Sequence, residues 1–262
     1  MFLEDIEKYT SQYQKGMKKI TFRSSYLKLL KEPIEIKIDK VYGNYELVFN
    51  NNGLLLHSVH NEQNNNFKVI YGYNNKGFLI TAMKLFCEKN VLISRSEFKY
   101  NNRGKIETET VYKFCLGTND YKIIECHTHT YEENKRTITV KNYEDEKDTF
   151  FCVYLTYNNI GNVIEEKALD IGGLVYWNKK EYDNDNNLLK EISLDENGVQ
   201  DCLYEFFPLK NNLESGYVCK SAETNYRRDY SFTFNEKNHW INKVIMNDGG
   251  PRYFYDREIE YY

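Results

Sequence analysis

The chain has 262 residues, enough for a sizeable hydrophobic core in one or two domains. Its 35 basic and 39 acidic residues give a net charge of −4, and no segment concentrates Lys or Arg, which argues against a nucleic-acid partner. The 24 Tyr and 15 Phe, with only 3 Pro, favour β-strands because aromatic side chains suit a pleated, half-buried surface.

Six cysteines are scattered along the chain without a CxxC motif, and we interpret them as reduced thiols that pack as small hydrophobic side chains. The N-terminal sequence MFLEDIEKYT lacks the basic and apolar regions of a signal peptide. No window approaches the roughly 20 apolar residues of a membrane helix. We therefore predict a cytoplasmic protein without a membrane span, with the reservation that an export signal could have been removed before Met1.

Residues 1–33 differ from the rest of the chain and are predicted to form a helical or irregular N-terminal cap. Apolar and aromatic residues follow a helical spacing over residues 3–13, with Gly16 as the stop. A second short helix is expected from Ser24 or Ser25 to a point before Pro33. Such a cap would cover the edge of the first strand or, alternatively, bind a partner.

Residues 34–262 are predicted to form a single repeat domain. The segment Tyr157–Gly161 reads YNNIG, in which Asn residues favour a turn and Gly enters the left-handed region without a steric penalty. The other clear copies end at Gly53, Gly77 and Gly104. An aromatic anchor precedes each turn, with a period of about 26 residues, typical of repeat architectures. The anchors are Phe49, Tyr73, Tyr100, Tyr131, Tyr157, Tyr182, Phe207 and Phe234.

A second turn lies between successive anchors, for example at Asp195–Gly198, so each repeat is expected to contain two strands. About sixteen strands would result, too many for a flat open sheet. We predict an all-β, repetitive antiparallel hairpin meander that coils into a spiral or half-shell, with the anchor aromatics in a ladder along one side.

These repeats resemble the YD-repeat, or Rhs-like, family, whose unit places tyrosine and aspartate before a glycine turn. The matching segments are Tyr73–Gly77, Tyr100–Gly104, Tyr157–Gly161 and Tyr182–Asp183, and the resemblance extends over residues 34–262. The chain is similar to small Bacteroidetes-type members without a toxin domain. The resemblance implies a coiling antiparallel sheet and a binding or housing role. It does not imply proteolysis, because the aspartate–proline–x–glycine segment of self-cleaving members is missing.

Two histidines are weak candidates for ligand binding. His127 and His129 lie two residues apart on a predicted strand, so their side chains should face the same side. A zinc site would need further ligands, and His57, His60 and Glu125 are candidates that the sequence does not bring near them. The alternative is a pair of hydrogen-bonded histidines on a polar strand.

Trp240 is a further weak candidate, either as a ligand-stacking residue or as a packed aromatic side chain. Acidic pairs are abundant, but catalysis needs carboxylates at a defined separation, and no nucleophile elbow, phosphate loop or dinucleotide motif is present. We predict no catalytic residue, no cofactor and no metal site.

Two functional hypotheses follow. The first is a non-enzymatic protein-binding scaffold, and its analogy with Rhs proteins suggests an immunity or chaperone-like partner of a toxin. The alternative is a carbohydrate or cell-wall binding module, with or without weak hydrolase activity. The first predicts a Tyr- and Asn-rich surface without a deep polar pocket, and the second predicts exposed aromatic side chains beside paired carboxylates. The sequence does not determine the partner, the functional face or the oligomeric state.

Overall fold

The computed structural model describes residues 16–30, 35–62, 65–87, 91–115, 117–118, 120–143, 150–208, 213 and 215–262. Within these ranges the secondary structure consists of strands and turns. The strands are β1 (Met17–Leu30), β2 (Glu35–Phe49), β3 (Leu55–Glu62), β4 (Asn65–Tyr73), β5 (Leu79–Phe86), β6 (Val91–Tyr100), β7 (Ile106–Cys115), β8 (Asp120–Glu132), β9 (Lys135–Asn142), β10 (Phe150–Tyr157), β11 (Val163–Asp170), β12 (Gly173–Tyr182), β13 (Leu188–Leu194), β14 (Gln200–Phe206), β15 (Gly216–Ser221), β16 (Asn225–Phe234), β17 (Trp240–Asn247) and β18 (Gly250–Tyr261).

The strands form one closed, up-and-down barrel. Each strand pairs antiparallel with the strands before and after it in the chain. The ring closes where β1 pairs with β18, from the Met17–Tyr261 pair to the Tyr26–Tyr253 pair. The predicted spiral or half-shell is therefore wrong. Closure gives the backbone groups of β1 and β18 the partners that an open sheet edge would lack.

The second predicted helix is also wrong, because residues 17–30 form β1. The side chains of Ile20 and Phe22 are buried, whereas Arg23 is exposed, so the apolar period here is two. Apolar residues near Ser24–Leu30 fit a helical spacing as well, but β1 gains ladder hydrogen bonds from strands on both sides. The first predicted helix lies outside the described residues.

Seven hairpin connections share one local structure. The Asn or Asp that begins each turn accepts two backbone hydrogen bonds at Oδ1, from residues two and four positions later. Gly161 has a φ of +94°, as the turn pattern predicts, and Asn186 and Asn238 take the same region at +71° and +61°. The seven residues that begin these turns are Asn50, Asn74, Asn101, Asn158, Asp183, Asp195 and Asn235. All but the Asp195 turn lie at one end of the barrel, which we call the asparagine end.

The core lines the concave side of the barrel wall and is densest at the asparagine end. Phe49, Leu55 and Val69 are each 1% exposed there, within a cluster supplied mainly by β1 to β6. A second cluster forms around Ala168 on β9 to β12. Eighteen strands spaced ~4.8 Å apart would give a circular ring at least about 27 Å wide. The convex face carries cross-strand ion pairs, including Lys19 with Glu46 at 2.7 Å.

Candidate binding site at the mouth of the barrel

Tyrosines that end strands at the asparagine end donate hydrogen bonds to the neighbouring hairpin. Tyr73 donates to the carbonyl oxygen of Leu55 at 2.9 Å, and Tyr100 donates to that of Leu79 at 2.8 Å. Tyr182 likewise donates to the carbonyl oxygen of Val163 at 2.9 Å. The two leucines begin β3 and β5, before these strands start to pair with the next strand, so their carbonyls lack a ladder partner on that side. The tyrosine hydroxyls supply it.

A pocket of about 730 Å³ opens at the asparagine end, on the concave side of β4 to β11. Four of the eight predicted anchors, Tyr73, Tyr100, Tyr131 and Tyr157, line it together. Phe78 stacks on Tyr100 with ring centroids 4.9 Å apart, which extends the aromatic wall. The hypothesis of a protein-binding scaffold, which predicts no deep polar pocket, stays a prediction, because the walls of this cavity are mainly aromatic and apolar.

Three cations and one carboxylate belong to the described lining of this pocket. Lys105 and Arg136 lie 4.7 and 5.7 Å from the ring centroid of Tyr131, and Lys135 and Glu133 lie at the β8–β9 turn. Among the described residues, none of the three cations has a carboxylate within ion-pair distance. The mouth therefore presents positive charge beside aromatic rings, an arrangement suited to a ligand with an anionic group.

A groove of about 990 Å³ continues the site between the turns that begin at Asn74 and Asn101. It shares Tyr73 and Tyr100 with the pocket and adds the cationic side chain of Arg103, together with Lys76. The positive charge thus extends over successive turns. This distribution could have been found in the sequence, because the turns NNKG, NNRGK and EENKR each carry Lys or Arg.

Arg136 connects the pocket to a buried histidine. Its Nη2 donates to Nδ1 of His129 at 3.0 Å, so the proton of the neutral imidazole is on Nε2. The His129 side chain is 7% exposed, and Nε2 has no hydrogen-bond partner among the described residues. Burial, with a smaller contribution from the Arg136 charge, lowers the pKa of His129 to about 4. His129 is therefore neutral at pH 7.

His127 lies deeper on the same concave face, between two carboxylates. Its Nε2 is 3.1 Å from Oε2 of Glu125, and its Nδ1 is 3.5 Å from Oε2 of Glu109. Glu109 is 4% exposed, and burial raises the pKa of its carboxyl, while the neighbouring His127 opposes the rise. Within the described residues no group of three or more His, Cys, Asp or Glu side chains could hold a metal ion.

The remaining candidates lie away from the pocket. Trp240 packs in the wall, with the Arg257 guanidinium 3.9 Å from its ring centroid and Phe22 at 6.0 Å. His60 stacks between two aromatic rings on the wall of β2 to β4, so it does not approach His127. The anchors Phe49, Tyr182, Phe207 and Phe234 do not line the pocket.

No protein-family model matches this sequence, and no curated protein matches it. Solved structures do match. A porin-like protein from Bacteroides vulgatus ATCC 8482 is 8% identical with a TM-score of 0.40, covering 95% of this chain and 99% of that chain. A porin-like protein from Bacteroides uniformis ATCC 8492 is 10% identical with a TM-score of 0.36, covering 93% and 98%. A DUF3836 family protein from Bacteroides vulgatus ATCC 8482 is 17% identical with a TM-score of 0.28, covering 34% and 98%.

Two predictions are corrected by these findings. The cytoplasmic location was inferred from the lack of a signal peptide and of an apolar membrane helix, and the closed barrel that the chain forms contradicts it. That prediction is wrong. The chain does not form the YD-repeat or Rhs-like spiral that the sequence predicted, whereas the predicted all-β class is confirmed. Within the described residues, no helix has the length and apolar character needed to cross a membrane.

Proposed function

We propose that the protein binds an acidic saccharide, a sugar that carries a carboxylate, in the tyrosine-lined mouth of the barrel. The observation that carries the proposal is the concave pocket in which four anchor tyrosines lie beside cations that have no carboxylate within ion-pair distance among the described residues. Ligand sites of this size combine aromatic walls with a few polar groups that set orientation.

The aromatic walls favour a ligand with flat, partly apolar faces. Tyr100 and Phe78 form a stacked pair, and Tyr131 and Tyr157 continue the wall on the other side of the Gly104 turn. Tyrosine provides a large contact area with few rotatable bonds, together with a hydroxyl oxygen that can accept a hydrogen bond from a sugar hydroxyl while its own proton is donated to a carbonyl.

The charges favour an acidic ligand. Arg136 is held by His129, which is neutral at pH 7, so the guanidinium charge is not neutralised by this contact. Its planar donors can bind a carboxylate through two parallel hydrogen bonds, and Lys105 adds a second charge. Glu133 is the one carboxylate in the described lining, whereas glycoside hydrolysis by two carboxylates requires a pair. The proposal is therefore binding without hydrolysis.

Calorimetric titration with an oligogalacturonate tests the proposal, with the neutral cello-oligosaccharide of equal length as the reference ligand. We expect binding of the acidic ligand that weakens at high salt, because the recognition includes exposed charge. Arg136→Gln should weaken it at least about tenfold, or ~1.4 kcal/mol. Lys167→Gln, on the convex face over Trp177, is the matched control and should leave binding unchanged.

Equal binding of the acidic and neutral ligands would contradict the proposed role of charge. If neither ligand binds, the proposal that the ligand is a saccharide would be contradicted. A protein partner, the hypothesis that the sequence favours, would then be sought by affinity capture. Ile160 is exposed on the Asn158 turn beside the pocket, and its substitution would test whether such a partner binds at this end of the barrel.

A further inference from the structure

Two of the six cysteines are in contact with each other. Cys202 is on β14 and Cys219 is on β15, and the Sγ atoms are 3.1 Å apart. The strand register pairs Cys202 with Ser221 and Tyr204 with Cys219, so the two cysteines are diagonal neighbours on one face of the sheet. A diagonal pair is more widely spaced at Cα than a directly opposed pair, but here the side chains turn towards each other and bring the sulfur atoms together.

Tyrosines enclose this pair on the concave side of the wall. Cys219 is 3% exposed, and the rings of Tyr204 and Tyr217 pack edge to face, with their centroids 5.6 Å apart and their planes at 71°. Burial raises the pKa of the Cys219 thiol, and hydrogen bonds from Tyr226 and Tyr204 oppose that rise. Cys202 is more exposed than Cys219, so we expect an oxidant to react first with the Cys202 thiol.

A metal site does not account for the contact. Zinc bound by cysteine takes four ligands, and the described residues provide no third His, Cys, Asp or Glu near these two thiols. The nearby charged group is the Arg228 guanidinium, 5.4 Å from the Tyr217 ring centroid, which would repel a cation. Two thiols in contact without further ligands are instead arranged for reaction with each other.

We propose that Cys202 and Cys219 form a reversible disulfide that links β14 to β15. A low-molecular-weight disulfide such as glutathione disulfide is the oxidant. The Cys202 thiolate attacks it, forms a mixed disulfide and releases one molecule of glutathione. The Cys219 thiolate then attacks the Cys202 sulfur, forms the intramolecular bond and releases the second glutathione, so two protein thiols are oxidised and one disulfide is reduced. The sulfur atoms need to approach by only about 1 Å.

Peptide mapping after trypsin digestion tests the proposal directly, because Cys202 and Cys219 fall in separate tryptic peptides, residues 191–210 and 211–220. The full chain is equilibrated with glutathione disulfide, denatured in excess N-ethylmaleimide and digested without reductant. We expect the two peptides joined, with the loss of two hydrogen atoms, and separate again after reduction. The peptides that contain Cys87 and Cys126 should carry maleimide.

Two variants distinguish the pair from general oxidation. Cys202→Ser should leave Cys219 fully labelled by maleimide after denaturation, and Cys152→Ser should leave the linked peptides unchanged. Circular dichroism of each variant establishes that the barrel is folded. Full maleimide labelling of both cysteines in the oxidised wild type would overturn the proposal. So would stable glutathione on Cys202 with Cys219 free, or zinc that co-purifies with the chain and is lost in Cys202→Ser.

Discussion

Replacing His129 with glutamine should remove a large part of the acid sensitivity of the barrel. The buried imidazole has a pKa of about 4, whereas the ordinary value for histidine is 6.5. Because the pKa in the folded state lies below that in the unfolded state, the neutral imidazole contributes stability above pH 6.5. That contribution is lost as the pH falls from 6.5 through 4, where the unfolded chain binds the proton more tightly.

The size of the effect follows from the same two pKa values. Each pKa unit corresponds to ~1.4 kcal/mol, so a change from 6.5 to about 4 is worth roughly 3 kcal/mol, nearly all of it lost between pH 7 and pH 4. His129 is 7% exposed, so solvent screening reduces this value little. Glu109 contributes with the opposite sign, because its raised pKa makes the fold less stable as the pH rises, but it is present in both proteins and cancels in the comparison.

Urea unfolding followed by far-ultraviolet circular dichroism at pH 7, 6, 5 and 4 measures this difference. The free energy of unfolding should fall further for the wild type than for His129→Gln between pH 7 and pH 4, and the two decreases should differ by roughly 3 kcal/mol. Arg136→Gln should give an intermediate slope, since burial, the larger cause of the lowered pKa, remains. Parallel curves for wild type and His129→Gln would refute the reasoning.

Two further substitutions test the mouth of the barrel. Tyr100→Phe removes the donor to the Leu79 carbonyl and should lower the free energy of unfolding by about 1–3 kcal/mol, because a part-buried carbonyl loses its partner. The same change at exposed Tyr154 should have little effect in the same urea titration. Gly161→Val should lower the free energy of unfolding by about 1–2 kcal/mol or more, because Gly161 has a φ of +94°, which valine adopts only with backbone strain. A Cβ at this position would meet no atom within 4 Å, so a steric clash does not contribute. Asn186→Gly, at a φ of +71°, is its control, and equal thermal midpoints for both variants would contradict the assignment.

The turns were predictable from the sequence because their structure is local. An Asn or Asp at the first position bonds backbone groups only two and four residues away, so the YNNIG pattern contains all of the interacting atoms. The left-handed residue follows from the same pattern, including its replacement by Asn at Asn186 and Asn238. The period of the anchors then follows from the spacing of the turns.

The sequence predicted some of the residues that line the pocket but not the contacts that they make. The anchors Tyr73 and Tyr100 were identified as repeat residues, but their hydroxyls bond carbonyls 18 and 21 residues away, which no local pattern specifies. Arg136 was not singled out. Its role depends on its position directly opposite Tyr131 and diagonal to His129 in the β8–β9 pairing, and on the burial that keeps that imidazole neutral.

The sequence by itself determined the all-β class, the hairpin turns and the succession of strands along residues 34–262. Only the tertiary structure decided that the sheet closes. Closure depends on the pairing of Ile20 with Ile259 and of Phe22 with Arg257, residues more than two hundred positions apart, in a segment whose apolar spacing also fits a helix. A strand gains its stability from partners on both sides, and the identity of those partners is a property of the closed ring rather than of the segment.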